Sequence, residues 1–195
     1  MTMRIEKNDT MPVIGWIYIF VITLVSFSSN GCGNDTAEDI VRPAEYHLGE
    51  SIGGGIVFYI DERGEHGLIA AAADQSRSIQ WFNGTYAATN AAAAVLGGGQ
   101  SNTTAIITIQ KEGNYAASIC DKLILNGYSD WFLPSKDELD MLYRQKDKVG
   151  GFSESFYWSS TEHGEGSAWE QNFINGAQYY ANKNFPVTVR AIRSF

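Results

Sequence analysis

From residue 152 to the C-terminus, the sequence alternates between short apolar, β-forming blocks and polar turns, and glycines separate the first three blocks. Blocks this short bury an apolar face only when they pair with one another, so the pattern predicts a sheet built from hairpins. No period in the range of repeat proteins accompanies it. The predicted strands span residues 156–160, 168–174, 177–181 and 187–192.

The segment before this region mixes strands and helices. Residues 56–60 and 68–73 are apolar and β-rich with a polar turn between them, which predicts a hairpin. Helical spacing of apolar residues predicts helices over residues 102–110 and 114–125. The glycine triplet at residues 97–99 lacks the lysine of a phosphate-binding loop and is predicted to be a flexible connection.

A third helix is predicted to begin at Ser135, because Ser135 and Glu138 have the spacing of a capping box. In that motif the serine oxygen accepts from a free helical N–H group, and the glutamate reaches back to the backbone of the serine. The helix is predicted to end near Lys148, before a pair of glycines. The chain therefore combines separate helical and sheet-forming regions, which is an α+β pattern.

The N-terminus has the order of a secretory signal. A polar start is followed by an apolar run over residues 12–27, by small polar residues and by Cys32. A cysteine at this place resembles a lipoprotein cleavage site, with residues 1–31 as signal peptide and Cys32 as the acylated first residue of the mature chain. Ser29 stands where such sites usually have leucine, so an uncleaved anchor or an ordinary signal peptide stays open. The polar, acidic residues 32–48 are predicted to form a flexible tether.

If Cys32 is acylated, Cys120 is the one cysteine left, and it cannot form an intramolecular disulfide. The exported domain is therefore predicted to be stabilised by its hydrophobic core without a disulfide. The apolar helical surroundings of Cys120 predict a small buried residue rather than a nucleophile. The formal net charge of -8 argues against nucleic acid and anionic lipid as partners. No zinc spacing relates the histidines, so neither a metal nor a cofactor is predicted.

Two long stretches identify a family. One is NGYSDWFLPSKDEL at residues 126–139, and the other comprises the blocks FYWSST, SAWEQNF, NGAQYY and VRAIRSF after residue 151. With GGGIVFYID and the DQS and QW segments before them, they closely resemble the Lcl C-terminal domain family of bacteria. The resemblance covers residues 49–195. It implies a C-type-lectin-like fold, with two to three helices packed on a twisted, mainly antiparallel sheet and with the chain ends close together.

The same resemblance implies an adhesin-like surface protein that binds ligands and is often a lipoprotein. The residue triplets of calcium-dependent lectins are absent from the sequence, so calcium-dependent sugar binding is not supported. The last strand carries Arg190 and Arg193, for which pairing with acids such as Asp130, Asp137 or Glu138 is predicted. Four tryptophans are predicted to anchor the core, namely Trp81, Trp131, Trp158 and Trp169.

Within and between the family blocks after residue 151 lie exposed-type polar and aromatic side chains, mainly tyrosine and asparagine. This mixture is typical of antibody paratopes, although an ordinary polar surface has a similar composition. It would also fit a segment diversified by a retroelement that mutates adenines, which a reverse transcriptase gene next to this gene would reveal. The predicted ligand-binding residues are His163, Glu165, Glu170, Asn172, Asn175, Tyr179, Tyr180, Asn182 and Asn184.

The sequence thus predicts a lipoprotein on the outer membrane or cell surface of a bacterium. Its partners would be an extracellular glycan or protein and, through the lipid anchor, the membrane. The alternative to a binding protein is a hydrolase that acts on surface glycans. Its candidate carboxylates are Asp137, Glu138 and Asp140, but they lie at a helix start, where acidic side chains are stabilised by the helix dipole. A structural envelope protein without a specific ligand is the third class. The prediction is a binding protein and not an enzyme.

Overall fold

The computed structural model describes residues 45–195, so the predicted signal peptide, Cys32 and most of the tether lie outside the described residues. Within the described part, no helix has both the length and the hydrophobicity needed to cross a membrane. The fold is α+β, with two sheets and four helices in that part, which is more than the two to three helices that the resemblance implied. The strands are β1 (Ser51–Ile52), β2 (Gly55–Ile60), β3 (Gly67–Ala70), β4 (Ser76–Ile79), β5 (Phe156–Gly164), β6 (Ser167–Asn172), β7 (Gln178–Asn182), β8 (Val187–Val189) and β9 (Ile192–Ser194). The helices are α1 (Gly98–Gln110), α2 (Ala116–Asp121), α3 (Lys136–Arg144) and α4 (Lys146–Val149).

The first sheet has four antiparallel strands in the order β1, β2, β3, β9. The predicted hairpin is confirmed as β2 and β3. Asp61 shapes its turn, because its carboxylate accepts the backbone N–H of Glu65 at 3.0 Å. Both faces of this sheet are covered: Val57 and Ile69 pack into one core cluster, and Phe58 and Leu68 pack into the other.

The second sheet has the strand order β4, β8, β5, β6, β7. Strands β5, β6 and β7 form an antiparallel meander, as the alternating blocks predicted, and β5 is parallel to β8. The last predicted strand, residues 187–192, is wrong as a single element. It divides into β8 and β9, which belong to different sheets, because Arg190 turns inward between them and binds the buried carboxylate of Asp74.

The helices differ from the predictions at both ends. Helix α2 ends at Asp121 rather than at residue 125, and the helix predicted to run from Ser135 to Lys148 is divided into α3 and α4. The capping box is confirmed: the Ser135 hydroxyl accepts from the Glu138 N–H, and the Glu138 carboxylate accepts the Ser135 N–H at 2.7 Å. The prediction of a flexible connection at residues 97–99 is wrong, since α1 already begins at Gly98. Gly97, whose φ is 84°, donates its N–H to Glu138, and a Cβ at Gly99 would clash with the same carboxylate. The starts of α1 and α3 therefore approach each other closely at these glycines, where a larger residue would not fit.

Three of the four predicted core tryptophans are buried, with at most 1% of their surface exposed, namely Trp81, Trp131 and Trp158. Each indole N–H donates to a backbone carbonyl: that of Trp81 to Ser159, that of Trp158 to Ile79 and that of Trp131 to Tyr128. A buried indole needs such a partner, so these bonds remove the polar cost of burying the rings.

Ion pairs join distant parts of the chain. The guanidinium of Arg193 donates to both oxygens of Asp130 at 2.7 and 2.8 Å, which confirms a predicted pairing. Arg190 uses Asp74 instead of the predicted acids, and it also donates to the carbonyl of Ala71. These bonds fix the C-terminal strands against segments more than sixty residues away in sequence.

Candidate functional site

The strand register divides the predicted binding residues between two faces of the second sheet. Trp169 of β6 pairs with Tyr180 of β7, and Glu170 pairs with Tyr179. Successive side chains of a strand point to opposite faces, and residues paired across an antiparallel ladder share a face. Tyr179 and Tyr180 therefore point in opposite directions, and the predicted residues do not form one continuous surface.

One face carries an aromatic cluster, here called the aromatic platform, formed by His163, Trp169 and Tyr180. The rings of His163 and Tyr180 are stacked, with centroids 3.9 Å apart and planes 2° apart. The Trp169 ring meets both edge-on, at 5.6 Å from His163 and 5.9 Å from Tyr180. Because His163 belongs to β5 and Tyr180 to β7, the two rings lean over β6 from either side.

The platform is fixed by polar contacts as well as by stacking. The His163 Nδ1 atom lies 3.1 Å from the Ser167 hydroxyl. Lys136, the first residue of α3, places its Nζ atom 4.2 Å above the Trp169 ring. A cation over an indole face is favourable, and here it covers one side of the ring. The platform is therefore a rigid aromatic surface with a positive charge at its margin.

The backbone of Lys136 is held between two strands. Its N–H donates to the Thr161 hydroxyl at 3.0 Å, and its carbonyl accepts from the Gln178 side chain at 3.0 Å. Sequence reasoning gave Lys136 no functional role, because only the packing of α3 on the sheet brings it to Trp169. The capping box that starts α3 was the available signal, since it places Lys136 at the first position of the helix.

The prediction that Trp169 is a core residue is wrong. Trp169 is only partly buried, whereas its neighbour Ala168 is fully buried. Alternation along β6 turns Ala168 to the core and Trp169 to the opposite face, so the two cannot share an environment. A large aromatic side chain that is accessible on a sheet face is a common element of binding surfaces.

The opposite face places the other predicted residues in a different setting. The Tyr179 ring lies 6.2 Å from Phe156 in an edge-on contact and is half exposed. Glu170 lies beside Tyr179 across the ladder, and partial burial raises the pKa of its carboxyl. These side chains therefore lie on the face of the sheet opposite to the platform.

Two of the predicted asparagines shape the turn between β6 and β7. The side-chain oxygen of Asn172 accepts the N–H of Ile174 at 2.8 Å, and that of Asn175 accepts the N–H of Ala177 at 3.0 Å. Bonds from an asparagine to the backbone two residues later are typical of turns. The structure therefore gives these two side chains a local structural role.

The remaining predicted residues lie at the margins. Asn182 accepts a hydrogen bond from the Tyr86 hydroxyl at 2.6 Å, which ties the loop after β4 to the end of β7. The carbonyl of Asn184 accepts from Gln80 at 3.1 Å. Glu165 is exposed in the turn between β5 and β6, close to the platform in sequence.

A buried ion pair supports the platform end of the sheet. Lys183, whose side chain is fully buried, donates to Glu162, and its Nζ atom lies 4.5 Å from the Trp81 ring. Burial lowers the pKa of Lys183, and the Glu162 carboxylate opposes that shift. Glu162 also accepts the backbone N–H groups of Thr89 and Asn90, so the loop that follows β4 is anchored beside His163.

Within residues 45–195, no three histidine, cysteine, aspartate or glutamate side chains are grouped so that they would hold a metal ion. Cys120 is buried, as predicted, and burial raises the pKa of its thiol well above the ordinary value. A thiol in that state is a packing residue and a poor nucleophile.

Comparisons with known proteins give a family and a distant structural likeness. A family model described as the Lcl C-terminal domain matches residues 70–193. No curated protein matches the chain. One of the solved structures that it resembles is a fimbrial protein from Bacteroides ovatus ATCC 8483, with 14% sequence identity and a TM-score of 0.48. That alignment covers 71% of this chain and 43% of the fimbrial protein, so the chain spans less than half of its length.

Proposed function

Because the chain belongs to the Lcl C-terminal domain family, we propose that it is a bacterial surface lipoprotein with an adhesin-like function. Its C-terminal domain binds an extracellular glycan or protein and performs no catalysis. The observation that carries the proposal is the aromatic platform of His163, Trp169 and Tyr180. The match of residues 70–193 to the family supports it, because that match covers both strands and helices around the platform.

The platform has the physical properties of a binding surface. Tyr180 is 58% exposed although its ring is fixed against His163, so its position is set before any ligand arrives. A rigid aromatic ring loses little conformational entropy on binding, and it offers a large contact area. Such rings account for a large share of the affinity in many protein interfaces.

We further propose that the fold is C-type-lectin-like. The two ends of the described chain meet, since the Tyr46 ring lies 4.7 Å from that of Phe195, the last residue. Tyr46 belongs to the segment predicted as tether, residues 32–48, and this part of it packs against the domain. Phe195 directly follows β9 of the first sheet, whereas the β5–β7 meander belongs to the second sheet.

We also propose that a lipid anchor at Cys32 attaches the chain to the membrane. Acylation at Cys32 would tether the domain through its lipid chains, and stable anchoring takes more than one chain. Labelling cells with a palmitate analogue tests this directly. We expect label on the wild-type chain and none on the Cys32→Ser variant, and equal labelling of both would overturn the lipoprotein assignment.

The binding proposal is tested with the purified full chain on arrays of glycans and of extracellular proteins. We expect Tyr180→Ala to weaken every specific hit by about thirty-fold or more, the effect of losing about 2 kcal/mol at an aromatic contact residue. Tyr179→Ala is the matched control, because Tyr179 has nearly the same exposure on the opposite face.

The control decides the outcome. If Tyr179→Ala abolishes binding and Tyr180→Ala does not, the site lies on the other face of the sheet and the platform is not the binding surface. Specific turnover of an arrayed glycan or ester that one carboxylate substitution removes would replace the binding function with an enzyme.

A further inference from the structure

The four outer strands of the two sheets differ in how they are protected. Strand β1 has only two residues, β9 is covered where Phe132 pairs with Ile192, and β4 carries Arg77 and an irregular register. Short length, covering segments, charges and irregularities all prevent another strand from adding to an edge. Strand β7 is less protected: its sequence QYYAN is uncharged and lacks proline, and its pairing with β6 is regular. Among the described residues, the loop after β4 reaches only its last residue, Asn182, through the Tyr86 hydroxyl.

The hydrogen bonds at the two ends of β7 show which of its backbone groups face outward. The Asn172 N–H donates to the Ala177 carbonyl, and the Lys183 N–H donates to the Gly166 carbonyl. In an antiparallel ladder, bonded and non-bonded pairs alternate along the strand. Both bonds show that the odd-numbered residues of this segment form the backbone hydrogen bonds to β6. The backbone groups of Gln178, Tyr180 and Asn182 therefore point away from the sheet.

Those outward groups have few partners in the described part of the chain. The Asn182 carbonyl accepts from the Phe185 N–H, but no described residue bonds the backbone N–H or carbonyl of Gln178 or Tyr180. An extended segment placed beside β7 would satisfy these groups. The edge therefore offers the backbone donors and acceptors that one more antiparallel strand requires.

Tyr180 belongs to both the edge and the aromatic platform. One face of its ring is covered by His163, which approaches from the β5 side, so the other face is turned toward the open edge. A side chain of an added strand on the platform side would lie against that free face. The stack of His163 and Tyr180 would then continue into the ligand.

We propose that the outer edge of β7 binds an extended segment of a partner protein as a sixth strand of the second sheet, with an apolar or aromatic side chain against Tyr180. The inference rests on the proposed function for the platform and names the class of its ligand. The net charge of -8 makes two copies of the chain repel each other, which favours a neutral or basic partner segment over pairing between two copies.

The test selects ligands for the immobilised full chain from a phage library of random linear peptides. Two substitutions at one position then separate side-chain from backbone recognition. Tyr180→Ala removes the ring and keeps the outward N–H, whereas Tyr180→Pro removes both; proline is tolerated on an edge strand where its missing N–H faces outward. We expect a selected peptide to lose about a further five-fold in affinity with Tyr180→Pro, the effect of one backbone hydrogen bond.

Amide hydrogen exchange of the wild-type chain gives a readout that does not depend on how the proline variant folds. We expect the selected peptide to slow exchange at Gln178, Tyr180 and Asn182. Exchange at Tyr179 and Ala181 should change much less, because those amides already bond β6. A side chain binding only to the platform would not produce this alternation.

The outcomes separate the two proposals. If ligands lose affinity equally with Tyr180→Ala and Tyr180→Pro and no alternation appears, the platform binds but the strand inference is wrong. If Tyr180→Ala changes no affinity, both the platform and the strand inference fail. Concentration-dependent dimers that show the same alternating protection without peptide would replace the partner segment with a second copy of the chain.

Discussion

The two sheets contain strands of similar length that lie in opposite environments. Strand β3 of the first sheet is buried at all four positions, while β7 of the second sheet has no fully buried residue. Residue type alone does not account for this, because each strand mixes a strong β-former, Ile69 in β3 and Tyr180 in β7, with residues that are depleted in strands. What differs is the cover: side chains of both core clusters enclose β3, whereas the end of the meander formed by β6 and β7 is open on the platform side. The enclosed sheet contributes core packing, and the open end is the surface for which we propose binding.

The strongest test of this contrast removes a buried ring that joins the meander to the core. We expect Trp158→Ala to lower the free energy of unfolding by about 3–5 kcal/mol, because it leaves a large cavity. Trp158 is fully buried, and its indole N–H bond to Ile79 would be lost as well. Urea unfolding measures the change, and a loss below about 1 kcal/mol would mean that the meander is not coupled to the core.

The next test concerns the junction between the two sheets. Asp74→Ala would leave Arg190 buried without its carboxylate, for which we expect a loss of about 3–5 kcal/mol. Asp130→Ala is the matched control, because it breaks the pair of the neighbouring Arg193 with a carboxylate that is 54% exposed. We expect that change to cost less than about 1 kcal/mol. Equal losses in thermal or urea unfolding would show that burial does not separate the two pairs.

A smaller effect is expected from pH at Glu170, beside Tyr179. Its pKa is raised in the folded state by burial, so the stability that the protonated group contributes is present at low pH and is lost as the pH rises through that value. Wild type should therefore lose stability relative to Glu170→Gln between about pH 4 and about pH 7. The two unfolding free energies at both pH values test this, and a constant difference would show that Glu170 is solvated like an ordinary surface acid.

The smallest expected effects belong to the open surface itself. Tyr179→Ala and Tyr180→Ala should each change the unfolding free energy by no more than about 0.5–1 kcal/mol, because both rings are at least half exposed. Thermal unfolding of both variants measures this. If Tyr180→Ala lowers the unfolding free energy by several kcal/mol, the stack with His163 stabilises the fold, and Tyr180 is not free to serve only as a binding residue.

Much of the local structure could be predicted from the sequence. The β2–β3 hairpin, the strands of the meander, the capping box of α3 and the burial of three tryptophans all follow from spacing and residue type. The candidate site was predicted less well. His163 and Tyr180 were among the predicted residues, but Tyr179 and Glu170 face away from them, and Trp169 was assigned to the core.

The sequence by itself determined the β2–β3 hairpin and the strands of the meander and, through alternation, which neighbours in them must point apart. It did not separate β8 from β9. Only the tertiary structure decided which face was covered, because α3 and the loop after β4 are placed by contacts that are remote in sequence, such as Lys136 over Trp169 and Glu162 on Thr89. The same holds for Arg190, whose partner Asp74 is 116 residues away. Local periodicity fixes relative directions along a strand, whereas burial depends on what packs against it.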